Sequence, residues 1–363
     1  MNRYFDFNAT TPLLPQARDA WLRANEKHWH NPSSLYRDAG IASQMLEAAR
    51  ERLGDLLGVD AGRIVFTSGA TEANNMLFSA FAGQPTAIST IEHPSVREAA
   101  RHWTKMREFD ARGDIPDAAL VSVMAANNES GELLPWRELA ERCREKGIPF
   151  HTDATQWIGK LAADFGACDY ITGSAHKFGG PKGAGFLVLR DENEQMRLIR
   201  GGPQENGRRA GTENFPAVEA MVTALETITP QLASCDDSGR NALESALRAV
   251  FPGLRVISAE VPRLWNTSLF VMPRHENLKW LTRLSRRGFS ISTGSACSSG
   301  KEGSSVVVTA LGATPEELRR VVRVSGGWET TKEEWLELAS AFAEAGAELD
   351  AEANARANQN PMA

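Results

Sequence analysis

The chain has 363 residues, enough for one large and one smaller domain with sizeable cores, and its 42% hydrophobic and 24% charged residues are those of an ordinary soluble globular protein. A formal net charge of −6 argues against a nucleic-acid binder driven by phosphate neutralisation, although local basic clusters such as Arg283, Arg286 and Arg287 are present. No apolar run is long enough to span a bilayer, residues 1–6 have no signal-peptide core, and the four cysteines lack paired metal spacing, so the expectation is a cytoplasmic protein with free thiols.

In chain order, residues 35–57 carry the period of a long amphipathic helix closed by Gly58. From about residue 60 to 190, short apolar runs alternate with helical patterns. Residues 63–67, 86–90, 119–124, 148–152, 169–172 and 185–189 read as buried strands, and 72–82, 95–108 and 136–146 as helices. Such alternation predicts an α/β fold with a mostly parallel, doubly wound sheet. Beyond residue 232 the texture changes. Residues 237–250 and 276–287 read as helices, 255–258, 267–271 and 321–325 as strands, and 331–349 as a final helix. The expected organisation is a large α/β domain over residues 13–232 and a smaller α+β domain over 1–12 and 233–350. An Ala/Asn-rich tail, 351–363, is expected to be disordered.

Several residues in this frame carry chemical interest. In Thr67-Ser-Gly-Ala-Thr-Glu72 a strand ends, a glycine turns the chain, and a helix begins at Thr71 or Glu72. Its N-terminus suits a phosphate; an ordinary capping box is the rival reading. Asp153 and Gln156 follow one strand, and Ser174, Ala175, His176 and Lys177 follow another. Ligands of open α/β sheets bind outside the carboxyl ends of strands, so both stretches converge on one crevice. There Lys177 could hold an aldehyde cofactor as a Schiff base, with Asp153 paired to a ring nitrogen and Ser174 and His176 on a phosphate. A surface lysine and a capping aspartate are the alternative.

His93, in Ile91-Glu-His-Pro94, also follows a strand and could stack on a flat ring and move protons, or simply precede a helix. Asn128 offers a neutral donor for a phenolate or carboxylate oxygen, or belongs to an Asn-rich turn. Arg323 lies inside the apolar run Val321-Val-Arg-Val324 and calls for an anionic partner, either a substrate carboxylate or a structural salt bridge. Cys143 and Cys168 read as packing residues and Cys235 lies in a polar stretch. Cys297 differs, because its Ser/Gly-rich surroundings give a thiol little packing to hold it, which suits a nucleophile.

Taken together, these motifs resemble those of the cysteine desulfurases of the NifS/IscS type, pyridoxal-phosphate enzymes of fold type I in the class V aminotransferase group. The resemblance runs from Tyr4-Phe-Asp-Phe-Asn-Ala-Thr-Thr-Pro12 to Val322-Arg-Val-Ser325. It includes Asn31-Pro-Ser-Ser34, residues 67–72, Glu92-His93, residues 127–131, Asp153-Ala-Thr-Gln156, His176-Lys177, Gly211-Thr212 and Ser295-Ala-Cys-Ser298. The spacing between Cys297 and Ala310-Leu-Gly312 looks like that of the longer-loop subgroup, whose persulfide cysteine reaches acceptor proteins.

The resemblance implies pyridoxal 5′-phosphate as cofactor and L-cysteine as substrate. It implies Lys177 as the Schiff-base lysine and proton carrier, Asp153 on the pyridine nitrogen, and His93 stacked on the ring. Gln156 and Asn128 would contact O3′ or the substrate, and Ala70, Thr71, Ser174 and His176 the phosphate. Thr212 would act across a homodimer interface, Arg323 would bind the substrate carboxylate, and Cys297 would take the sulfur as a persulfide, releasing alanine. A sulfur-acceptor or iron–sulfur scaffold protein is the implied partner, with no membrane or nucleic acid. The chain departs from the family at Ala175, at Pro203 and Asn206 in a glycine-rich loop, at Ala210, and at residues 303–305. Selenocysteine lyase, transaminase and non-enzymatic scaffold functions are the alternatives on the same fold.

Overall fold

The computed structural model describes residues 3–294 and 305–359; Cys297 lies outside them. The chain divides into a larger unit, Thr10–Asn127 with Leu134–Ala233, and a smaller one, Met1–Ala9 with Asn128–Leu133 and Ser234–Ala363. The first strand, β1 (Arg3–Tyr4), belongs to the smaller unit.

The larger unit begins with α1 (Pro15–Lys27) and α2 (Arg37–Leu57). In α2, Ala39, Ala42, Leu46, Ala49, Leu53 and Leu57 recur every three or four residues and form its buried stripe, and Gly58 ends the helix at φ 68°. Next come β2 (Ile64–Thr67), α3 (Ala70–Ala80), β3 (Pro85–Ser89), α4 (Pro94–Trp103), β4 (Lys105–Phe109), β5 (Leu120–Ser122), α5 (Trp136–Glu145), β6 (Phe150–Asp153), β7 (Tyr170–Ser174), β8 (Gly185–Val188) and α6 (Phe215–Ile228). The strands form one seven-stranded sheet in the order β2-β8-β7-β6-β5-β3-β4. It is parallel from β7 to β4, while β8 runs antiparallel to both β7 and β2. Helix-covered parallel strands are buried on both faces, which is why β5, β6 and β7 are buried at every position.

One expected helix is two elements. Residues 95–108 split at Thr104, whose N–H and hydroxyl both return to the Ala100 carbonyl, at 2.9 and 2.8 Å, and end α4. The following β4 is the edge of the sheet, with Lys105, Arg107 and Glu108 exposed. Charged residues protect an unpaired edge, and here they hide the strand in the sequence.

The smaller unit continues with α7 (Ser238–Val250), β9 (Arg255–Val256), β10 (Thr267–Val271), α8 (Asn277–Arg286), β11 (Phe289–Ser290), α9 (Val306–Ala310), α10 (Pro315–Leu318), β12 (Val321–Ser325) and α11 (Lys332–Gln359). β12, β10 and β9 form an antiparallel sheet, and β1 pairs in parallel with β11. Phe5, Phe251, Phe270, Trp280, Trp335 and Phe342 dominate its core. The segment Asn128–Leu133 joins this unit through bonds from Leu133 N–H to the Pro262 carbonyl (2.9 Å) and from Leu264 N–H to the Gly131 carbonyl (2.7 Å). Gly131, at φ 76°, admits Thr267 so closely that a Cβ would sit 2.8 Å from the Thr267 Cβ. Helix α11 continues to Gln359, past residue 351 where the Ala/Asn-rich composition predicts disorder; the alanines there favour continuing a helix already formed. No helix among the described residues is long and apolar enough to cross a membrane.

Candidate functional site

The carboxyl ends of β3, β6 and β7 bring His93, Asp153 and Lys177 within one electrostatic neighbourhood of the larger unit. Asp153 closes β6 and is 5% exposed. Its Oδ1 accepts the Thr155 N–H at 3.0 Å, and its Oδ2 accepts an Asn74 Nδ2–H at 3.1 Å. Asn74 also donates to Ser95 Oγ at 2.9 Å and accepts the Thr172 hydroxyl at 2.8 Å. This amide, fully buried on α3, ties α4, β6 and β7 together behind the aspartate. Asn74 carries no motif, and its one signal in the sequence is a polar residue four positions after Ala70 on the buried stripe of its helix.

His93 caps α4, its Nδ1 accepting the Ser95 N–H at 3.1 Å. A nitrogen that accepts this bond cannot carry the proton, so the neutral ring bears it on Nε2. Burial holds the imidazole below its ordinary range; Lys177 pushes the same way and Asp153 opposes. Beside it Glu92 is buried completely, its Oε1 accepting the Ser89 hydroxyl at 2.6 Å and the Met124 N–H at 2.7 Å. Glu92 Oε2 is buried with no partner among the described residues. Burial pushes this carboxyl up to about 8, with Asp153 adding to the rise against its two hydrogen bonds and Arg97.

Lys177 ends a single turn of 3₁₀ helix, Ala175–Lys177, directly after β7. Thr10 and Thr11 fix that turn. Thr11 gives its N–H and hydroxyl to the His176 carbonyl at 2.9 and 3.0 Å, and Thr10 Oγ1 lies 3.1 Å from His176 Nδ1. Burial, with Lys177 and Lys182 nearby, lowers His176 to about 4, so its ring is neutral. Gln156 is 3% exposed, and its Oε1 accepts a hydrogen bond from the buried Lys160 ammonium.

At the start of α3, Gly69 is the cap residue and no side chain caps the helix. Ser174 Oγ lies against it, 3.4 Å from where a Gly69 Cβ would be. A side chain at 185 would come 2.5 Å from Gly69 Cα, so two glycine backbones pack here without Cβ atoms. Ala70 is buried and Thr71 exposed on the first turn. An uncapped helix N-terminus beside a serine hydroxyl is an anion site in chemical terms. Thr212 is exposed and lines, with Thr67, Ser68 and Arg209, a cavity of about 230 Å³. The departing loop at Pro203 and Asn206 is pinned by Glu205, which is 6% exposed and takes Arg50 on both oxygens, at 2.8 and 3.0 Å, together with the Phe66 N–H at 2.9 Å.

Asn128 and Arg323 belong to the smaller unit. The Asn128 carbonyl accepts Arg323 Nη1–H at 2.9 Å and Asn8 Nδ2–H at 3.1 Å. Arg323 is 2% exposed and pairs through Nη2 with Asp6 Oδ1 at 2.6 Å, so it has the structural salt bridge that the sequence left open. Its Nε and the Asn128 Oδ1 are buried with no partner among the described residues. A ligand carrying both an acceptor and a donor would satisfy them.

Comparison with known proteins places these features in context. The family model for class-V aminotransferases matches residues 3–338. A cysteine desulfurase of Cereibacter sphaeroides is 37% identical over 361 residues, covering 91% of this chain and 92% of that protein. Among solved structures, a NifS-like protein superposes with a TM-score of 0.84 at 29% identity, covering 95% of this chain and 99% of that one. A structure of SspA in complex with cysteine gives a TM-score of 0.77 at 29% identity, covering 89% and 98% of the two chains.

Proposed function

Since the chain belongs to the class-V aminotransferase family, among its cysteine desulfurases, we propose that it converts L-cysteine to L-alanine and takes the sulfur onto Cys297 as a persulfide. The observation that carries this reading is the joint placement of Lys177, Asp153 and His93 beyond the carboxyl ends of β7, β6 and β3, braced by Asn74.

The donor set fits pyridoxal 5′-phosphate. Ala70, Thr71, Ser174 and His176 offer backbone N–H groups, a hydroxyl and a neutral imidazole to a phosphate. Asp153 offers a carboxylate to a pyridinium N–H, Gln156 a side-chain amide to a phenolate, and His93 a flat neutral ring for stacking. Bound there, the cofactor supplies a conjugated electron sink for charge developing on the substrate carbon.

Lys177 holds the cofactor between turnovers and afterwards carries protons to and from the substrate carbon. The Thr10–Thr11 clamp on the preceding carbonyl keeps its stem in place. Asp153, oriented by Asn74 and Thr155, keeps the ring nitrogen protonated. His93, neutral with the proton on Nε2, is ready to exchange that proton. Arg323 Nε donates to the substrate carboxylate while Asp6 neutralises the rest of the guanidinium, and Asn128 Oδ1 receives a donor from the substrate or cofactor. The Cys297 thiolate forms an S–S bond to the substrate sulfur as the substrate's Cβ–S bond breaks. The electron pair stays on carbon, which is protonated to give alanine.

We read the active form as a homodimer, supported by the exposure of Thr212 beside an open cavity, which suits a contact with a second copy. The persulfide then serves an acceptor protein, with an iron–sulfur scaffold as the proposed recipient, in a reducing cytoplasm that keeps Cys297 a thiol. The test is incubation with cysteine and a reductant, scoring alanine and sulfide together. Lys177→Ala should lose the cofactor's visible absorption, and Cys297→Ala should keep the colour and lose sulfur release. Equal activity in Cys297→Ala would overturn the persulfide route.

A further inference from the structure

One buried titratable side chain of the larger unit has no part in the chemistry above. His151 lies in β6, two residues before Asp153, and is fully buried. Its Nδ1 lies 2.8 Å from Ser122 Oγ on β5, and its Nε2 lies 3.2 Å from Thr172 Oγ1 on β7. The Phe78 ring stands nearly perpendicular to it, with centroids 6.2 Å apart. Burial holds the imidazole below its ordinary range, against the pull of Asp153.

The proton positions follow from counting donors and acceptors. Both Asn74 Nδ2 hydrogens are committed, one to Asp153 Oδ2 and one to Ser95 Oγ, and Asn74 Oδ1 takes the Thr172 hydroxyl. A hydroxyl has one hydrogen, so Thr172 Oγ1 meets His151 as an acceptor, and His151 Nε2 carries a proton. Burial keeps Nδ1 bare, and it accepts the Ser122 hydroxyl. On the far side, Ser95 gives its hydroxyl hydrogen to His93 Nδ1 at 2.8 Å. The chain therefore runs one way, from Ser122 through His151, Thr172 and Asn74 to Asp153, and by Ser95 to His93. Ser122, His151, Thr172 and Asn74 are all fully buried, which leaves no water to correct a bond pointed the wrong way.

We propose that His151 is a positioning residue for Asp153, acting through Thr172 and Asn74. Its N–H occupies the Thr172 oxygen and turns the hydroxyl hydrogen toward the Asn74 carbonyl. The Asn74 amide then has only N–H to offer Asp153. A reversed amide would need that occupied Thr172 oxygen as its acceptor and would set a carbonyl against the carboxylate. The inference rests on the reading of Asp153 as the partner of the cofactor's ring nitrogen, so the test separates the two. The titratable groups on which Asp153 acts are Glu92, His93 and His151 itself.

The first measurement needs no cofactor. Nitrogen NMR of the protein labelled with ¹⁵N-histidine should show His151 neutral at pH 7 with its proton on Nε2. His151→Gln assigns the signals by their loss, and Ser122→Ala assigns them independently by shifting Nδ1. A ring charged or protonated on Nδ1 overturns the proposal. The second measurement uses the cofactor-loaded protein. A ring nitrogen less firmly protonated withdraws less charge, so the proton on the Lys177 linkage is held to higher pH. His151→Leu and Thr172→Val should each weaken cofactor binding roughly tenfold and raise the pH midpoint of its visible band by about one unit, the range open to one hydrogen bond on a charged group. Both changes cut the same chain, so the double variant should do little more than either alone. His151→Gln keeps an N–H donor for Thr172 and should recover most of both effects. A midpoint unmoved in His151→Leu and Thr172→Val overturns the proposal, and weakened binding beside that unmoved midpoint marks packing alone. If Asp153→Ala keeps the parent's cofactor affinity and midpoint, the reading of Asp153 itself fails, whatever the tautomer of His151.

Discussion

Glu92 is the place to perturb the larger unit's site by a single proton. Its carboxyl rises from 4.5 to about 8, chiefly by burial, with Asp153 adding to the effect. Between those values the folded protein holds a proton that the unfolded chain has already released. Its contribution to stability is therefore complete below pH 4.5, falls by about 1.4 kcal/mol per pH unit, and is gone above about pH 8. The full span is worth roughly 5 kcal/mol. Glu92→Gln keeps the oxygen that receives Ser89 and Met124 and puts an uncharged NH₂ where the second oxygen was. The variant cannot ionise, so its stability relative to the parent should increase by about 2 kcal/mol between pH 6 and pH 8. Urea unfolding of both proteins at each pH measures this, and taking the difference cancels every other titrating group. The same series without cofactor separates any change in cofactor affinity. Parallel profiles for the two proteins would refute a protonated Glu92.

Removing Arg50 by Arg50→Ala should cost about 3–5 kcal/mol in urea unfolding, because Glu205 would keep a buried, unpaired charge. The double variant Arg50→Met with Glu205→Gln should recover part of that loss, and no recovery would locate the cost in packing alone. Gly159→Ala places a Cβ against the Cβ of Phe178, the neighbour of Lys177, at a backbone φ of 75°. Loss of bound-cofactor absorption with an intact far-ultraviolet spectrum is the expected outcome, and a normally coloured protein would mean that the Lys177 turn moves freely.

The sequence exposes elements whose periodicity and burial agree. Strands β10 and β12 are buried throughout and have the bounds expected from their apolar runs. It hides elements whose surface dictates composition, as at β4, where Met106 and Phe109, three apart among Lys105, Arg107 and Glu108, imitate a helix face. The site divides in the same way. Lys177, Asp153 and His93 sit at strand ends, where topology makes a residue's neighbourhood foreseeable. Asn74, His151 and Lys160 act on other residues through three-dimensional contacts, and a one-dimensional pattern carries no record of which side chain an amide or imidazole will face. Arg323 lies between these cases. Its need for an anion is legible from the apolar strand, whereas its pairing with Asp6 joins positions at opposite ends of the sequence.

The pairing of β1 with β11 joins Arg3 to Phe289 and Tyr4 to Ser290, so a strand made early by the ribosome waits for one made late. Phe5, next to β1, fills the core shared by Trp280, Trp335 and Phe342. A nascent chain halted before β11 would carry Phe5 without the Trp335 and Phe342 that cover it, as bait for chaperones and proteases, while the larger unit already had every one of its strands. Synthesis through α11 thereby becomes a condition for burying Phe5.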